Sequence, residues 1–234
     1  MTDSIEQTIK LILPRDLFLD LDDRCRAEAL KAHIMVRDNS GLEKRRARAL
    51  EGQARFRMME QGFEEVCTLH GGGVLSGGVI PSSDLVTYQP FMRFSRNEKG
   101  VIIGLASMPE PRILPPKNRS RLSGVTLNYQ LNPGLDLDDF MPKAGDFFVL
   151  FLISRDKSAP GHIEEIAVGV IDSKYETFLM YQELGKFLGD ENYDAPAPPS
   201  DPISQPPHRS VSLKKNPQPF IPPEMSEHKK SKDN

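Results

Sequence analysis

Phe147-Phe148-Val149-Leu150-Phe151-Leu152-Ile153 is the longest unbroken apolar run in the chain. It is far too short to cross a bilayer, which takes about 20 apolar residues in a helix. Charged and turn-forming residues bound it, Asp146 before and Arg155-Asp156 after. A short apolar run with such boundaries reads as a β-strand. Runs of the same kind recur on both sides, at residues 85–94, 101–107 and 124–131 before it and 163–171 and 177–181 after it.

The separators between these runs suggest how they pair. Arg96-Asn97-Glu98-Lys99-Gly100 reads as a hairpin turn, and so do residues 156–161 and Asp172-Ser173-Lys174-Tyr175-Glu176. Short turns join antiparallel neighbours, since a parallel pair needs a long crossover. Residues 109–116, rich in proline, form a longer irregular link, and residues 182–188 suit a short closing helix.

The N-terminal third has a different period. Residues 8–13 read as a short strand stopped by Pro14. From Arg15 the apolar positions Leu17, Leu21, Cys25, Ala29, Ala32 and Met35 or Val36 recur every three or four residues, the period of an amphipathic helix. Asp38-Asn39-Ser40-Gly41 breaks that pattern. Ser40 stands three residues before Glu43, the spacing of a capping box, so a second helix is expected from there to about Val66. Leu50, Ala54 and Met58 make one apolar stripe on it, with Phe56, Met59, Phe63 and Val66 beside it. The expected fold is α+β, with two N-terminal helices followed by a largely antiparallel sheet of about six strands.

The expected organisation is a helical segment 1–69, a glycine-rich loop 70–78, a β-rich body 79–190 packed with the helices, and a disordered tail 191–234. Ten of the 20 prolines lie from Ala195 onward, where core-forming runs cease. Such a composition buries too little apolar surface to offset the entropy of ordering.

Composition narrows the function classes. The net charge of −3 argues against a surface built wholly for nucleic acid. Cys25 and Cys67 have no metal-ligand spacing and read as reduced thiols. The opening residues lack a basic stretch followed by an apolar one, so no secretory leader is expected and a cytoplasmic location is. No membrane contact and no cofactor are expected.

Several segments are candidate sites. His70-Gly71-Gly72-Gly73 can present successive N–H groups to an anion. The same pattern forms the oxyanion loop of some lipases and esterases, but no Gly-x-Ser-x-Gly elbow accompanies it. Lys117, Arg119 and Arg121 lie within five residues after a stiff Pro-Pro pair and suit phosphate contact. The second helix carries Lys44, Arg45, Arg46, Arg48, Arg55 and Arg57, but Glu43, Glu51, Glu60 and Glu64 are placed to neutralise several of them, so any anion contact is expected at the loop.

Asp172-x-Lys174, with Asp156, Glu164 and Glu165 upstream, loosely matches a metal-dependent nuclease pattern, although a turn is the simpler expectation. Asp20, Asp22 and Asp23, like Asp136, Asp138 and Asp139, lack the glycine and final glutamate of a calcium loop and are expected in solvent. His33, His162, His208 and His228 stand alone, and no metal site is expected. Leu13-Pro14 followed by Leu17, Leu21 and Cys25 resembles the opening of ribbon-helix-helix DNA-binding proteins. The likeness covers only this opening, because the next helix starts too late for that motif.

In the tail, Pro217-Gln218-Pro219-Phe220-Ile221-Pro222-Pro223 has the polyproline bias of a segment that docks in an aromatic groove. The leading functional expectation is therefore a non-enzymatic binding, adaptor or regulatory protein, with a protein partner at Pro217, Pro219, Phe220 and Pro222. A nucleic-acid-binding protein comes next, and a metal-dependent hydrolase or nuclease after it.

Overall fold

A computed structural model describes residues 2–75, 89–96, 99–131 and 146–189, all of which belong to one unit of the chain. The tail from residue 191 and the acids Asp136, Asp138 and Asp139 lie outside the described residues.

Three helices, not two, open the chain: α1 Thr2–Ile12, α2 Arg15–Asn39 and α3 Lys44–Leu69. After them come β1 Gly73–Val74, β2 Phe91–Arg96, β3 Lys99–Met108, α4 Arg119–Val125, a 3₁₀ segment Thr126–Leu131, β4 Asp146–Arg155, β5 Ile163–Ile171, β6 Phe178–Glu183 and α5 Leu184–Leu188. The fold is α+β, as expected. No helix among the described residues is long and apolar enough to cross a membrane.

Residues 8–13 are helical rather than a strand. The periodicity starts earlier, at Ile5, and Ile5, Ile9 and Ile12 are all buried at helical spacing. Pro14 caps the start of α2 instead of ending a strand. The ribbon-helix-helix likeness loses its strand with this correction. The capping box is also absent. Ser40 Oγ donates to Val36 O at 2.6 Å and accepts the Leu42 N–H at 3.3 Å, so it closes α2, and Glu43 stands before α3.

The six strands lie in sequence order, β1-β2-β3-β4-β5-β6. Every neighbouring pair is antiparallel except β3 and β4, which run parallel from Gly100↔Asp146 to Met108↔Ser154. The sheet is thus mixed. The parallel pair is allowed because residues 109–145 form a crossover long enough to return the chain. Residues 124–131, expected as a strand, lie in that crossover as the end of α4 and the 3₁₀ segment. Asn118 starts α4 by accepting the Arg121 N–H at 2.7 Å, a side-chain cap. The sixth strand is instead β1, inside the glycine-rich loop.

β4 is the centre of the molecule, with Phe147 through Ser154 all buried. On one face Val149, Phe151 and Ile153 meet Leu17, Phe18, Leu21, Phe63 and Phe187 from the helices. On the other, Phe148, Leu150 and Leu152 meet Val125, Leu127 and Tyr175. Burial on both faces explains why the run has no polar alternation. Cys25 and Cys67 are free and buried, and burial pushes both thiols far up, so neither is a thiolate nucleophile.

The turn between β5 and β6 is organised by Asp172, as the simpler expectation for this segment had it. Its carboxylate accepts the N–H groups of Glu176 and Thr177 at 2.7 Å and of Lys174 at 3.1 Å. Burial pushes this carboxyl up, but the backbone donors together outweigh it and hold it below the ordinary aspartate value. Asp172→Ala is expected to cost about 1–3 kcal/mol in urea unfolding at neutral pH. A lowered folded pKa stabilises fully above the unfolded value of about 3.9 and ceases to do so as pH falls through the folded value. The gap between wild type and variant should therefore narrow below about pH 4.

Candidate binding face on the helical hairpin

Helices α2 and α3 form an antiparallel hairpin that is longer than its support. The last buried residue of α2 is Val36 and the first of α3 is Arg55. No residue from Arg37 to Ala54 is buried. The first three turns of α3 persist on local preference, since Lys, Arg, Ala, Leu and Glu are all good helix formers. Gly41, at φ +62°, lets the chain reverse between the two helices.

This arm is basic and partly apolar. Arg37 pairs with Asp38 at 2.7 Å and Arg46 with Glu43 at 3.7 Å. The other acids of α3 do not neutralise the arm. Glu51 lies 3.2 Å from His33, and Glu60 pairs with Arg57 at 2.7 Å. Lys44, Arg45 and Arg48 therefore stand exposed without an acidic partner among the described residues. Along the same stretch Met35, Leu42 and Leu50 are 42%, 43% and 39% exposed. Leu50 belongs to the stripe read from the sequence. The stripe that faces the core is instead Arg55, Met59, Phe63 and Cys67, spaced by four.

The other candidates are placed differently. Lys117 and Arg119 face outward, with Lys117 Nζ 5.8 Å from the Tyr175 ring centre. Arg121 turns inward. It is buried, donates to Pro116 O at 2.6 Å and meets Tyr175, and burial lowers its guanidinium below the ordinary value. The three cations do not share one outward face.

The described part of the glycine loop, residues 70–75, is also tied into the fold, and residues 76–78 lie outside the described residues. His70 Nε2 lies 2.7 Å from Asp20 Oδ2, fastening the end of α3 to α2. Gly71 sits at φ +85°. A side chain at Gly72 would meet the Phe94 ring at 2.6 Å, and Gly73 pairs with Arg93 in β1. Asp22, expected in solvent, is fully buried, where Arg26 Nε donates to it at 2.7 Å.

A cleft of about 370 Å³, not anticipated from the sequence, lies where Arg112 meets β6 and α5. Arg112, Phe178, Tyr181, Gln182, Glu183 and Lys186 line it. The Tyr181 hydroxyl donates to Glu165 and accepts the Arg112 N–H at 3.2 Å. Burial first, then the Glu165 bond, pushes the phenol pKa up, so Tyr181 stays a protonated donor and not a base. Residues 112, 165 and 181 are too far apart in sequence for this grouping to leave a local signal.

No group of three or more His, Cys, Asp or Glu side chains is placed to hold a metal ion among the described residues. Comparison with protein-family models, with curated proteins and with solved structures finds no match to this chain.

Proposed function

We propose that this chain is a non-enzymatic binding protein of adaptor or regulatory type, and that residues 37–54 are its docking arm for an acidic, amphipathic protein surface. One observation carries this. A helical arm with no buried residue keeps two leucines in solvent, with three cations that have no acidic partner among the described residues. No packing among the described residues accounts for Leu42 and Leu50 there. Apolar contact at the centre of an interface with charges at its rim is the usual anatomy of a protein–protein contact. Cations at the rim would steer an acidic partner. The Pro-rich segment around Pro217, Pro219, Phe220 and Pro222 is proposed as a second protein contact.

Lys44, Arg45 and Arg48 also favour a second reading, nucleic-acid binding. A helical peptide with glutamates between leucines at i,i+4 spacing and a short DNA duplex separate the two by fluorescence anisotropy at two salt concentrations. Leu42→Ser with Leu50→Ser is expected to weaken the peptide by about tenfold or more, and Arg45→Glu with Arg48→Glu to do the same. Tight duplex binding that falls steeply with salt and ignores the leucine changes would favour nucleic acid instead. Binding of neither probe would remove the arm as a docking surface.

A further inference from the structure

Where the root of the hairpin crosses the turn between β4 and β5, two arginines form no salt bridge among the described residues, and each has a buried nitrogen without a hydrogen-bond partner. Arg55 on α3 is less than a tenth exposed, and its Nη1 is sealed from solvent without a hydrogen-bond partner. Arg155, at the end of β4, has its Nε in the same state. Residues 147, 149, 151 and 153 of β4 face the helices, and Arg155 continues that alternation. The register shifts there, because Ser154 pairs with Glu165 and Arg155 with Ile163. Such a bulge re-aims the side chain beside it.

The neighbouring charges are otherwise engaged. Asp22 accepts from Arg26, whose Nη1 reaches Ile163 O at 3.3 Å. Glu28 pairs with Arg24 at 3.1 Å and Lys31 at 3.6 Å. Asp156 accepts the N–H groups of Ser158 and Ala159 in its own turn. Glu51, one turn before Arg55, lies against His33, and both facing atoms are buried without an aligned hydrogen bond. His33 packs against Gly161, at φ +85°, where an added Cβ would meet the His33 Cβ at 2.8 Å and its ring carbons just beyond. Burial first and then the Arg155 charge lower the Arg55 guanidinium, with Glu51 opposing.

A buried charge without a hydrogen bond is costly, and a like charge beside it makes it costlier. A bound counter-ion is one way to resolve such a grouping. Guanidinium forks match the oxygens of a tetrahedral anion, and two of them match a dianion better than a single carboxylate. We propose that Arg55 and Arg155 form a binding site for a phosphate group, at the joint between the helical hairpin and the β4–β5 turn. The site is separate from the exposed arm and does not depend on what the arm binds.

Thermal unfolding and calorimetric titration with inorganic phosphate, against sodium chloride at equal ionic strength, test it. Phosphate should raise the wild-type melting temperature by about 2–4 °C or more, saturably. Arg55→Met and Arg155→Met should each lose that response. In chloride, Arg55→Met should melt at or above wild type, since it removes an unmatched charge at similar volume. Phenyl phosphate in a parallel titration distinguishes the source. Binding equal to phosphate indicates an ester-borne group, weaker binding indicates the free ion, and either supports the site. Equal responses to phosphate and chloride in wild type would overturn it. So would a phosphate response that survives in both variants. If Arg55→Met fails to fold, Arg155→Met, at the less buried position, decides the matter alone.

Discussion

Asn128→Ala is expected to lower the unfolding free energy by about 3–5 kcal/mol, which would make it among the most damaging polar substitutions in the chain. Asn128 is fully buried at the middle of the 3₁₀ segment. Its Nδ2 donates to Phe148 O at 3.0 Å and to Ile171 O at 2.8 Å, and its Oδ1 accepts the Phe148 N–H at 2.7 Å. The β4–β5 ladder is paired at Leu150↔Gly169. Two residues further out, Phe148 faces Ile171, and the asparagine amide stands between them as a substitute rung. Alanine would leave three buried backbone groups without partners, each costing about 1–3 kcal/mol before relaxation. Asn128→Asp should be at least as harmful, because a carboxylate offers no donor to the two carbonyls. Urea unfolding with an unchanged m-value measures the loss. A change under about 1 kcal/mol would mean that the 3₁₀ segment does not hold the ends of β4 and β5.

The same asparagine shows what a sequence hides. Residues 124–131 have the apolar content of a strand, and Asn128 does make strand-like bonds, but with its side chain from a different backbone conformation. Strand direction is hidden too. Nothing within β3 or β4 encodes that they run parallel. Only the length of the 109–145 crossover permits it. Most else about the sheet was legible, because apolar runs between Gly, Asp, Ser and Pro are set by local chemistry. The β2–β3, β4–β5 and β5–β6 neighbours follow from their short connections, and Phe63 is in the core as its place on the apolar helix face indicates and Phe151 as its place in the apolar run does. α1 was obscured because Thr8 and Lys10 between apolar residues mimic alternation, and only the inclusion of Ile5 restores the helical period.

The sites were less legible than the fold. An amphipathic pattern says which face of a helix is apolar but not how far its support extends. Leu50 therefore looked like a core residue although it lies on the unsupported arm. Arg55 did leave a signal. It falls four residues before Met59 and eight before Phe63, on the stripe that meets the core, where an arginine needs a partner. Charge counting along the helix masked it by pairing acids and bases without regard to facing. Arg121 shows the converse, a cation in a locally basic loop that the fold turns inward to hold Pro116.

Phe151→Ala should cost about 3–5 kcal/mol, a large fraction of the roughly 5–15 kcal/mol that keeps a domain folded. Phe151 is fully buried at the middle of β4 and faces the helices. Its ring centre lies 6.5 Å from that of Phe18 on α2, which in turn meets Phe187 of α5 edge-on at 5.0 Å. The chain Phe151–Phe18–Phe187 therefore joins the central strand to two helices from opposite ends of the unit. If that contact is what docks the helices, Phe18→Ala and Phe151→Ala should be non-additive, with a coupling of about 0.5–1.5 kcal/mol in a double-mutant cycle. Phe148, on the other face of the same strand, supplies the control. It packs edge-on against Phe91 at 4.9 Å, in a separate cluster. Phe18→Ala combined with Phe148→Ala should add simply, because the sheet separates them. Coupling of equal size in both cycles would mean that the two faces of β4 respond as one core, and additivity in both would mean that Phe18 does not dock on β4 through its ring.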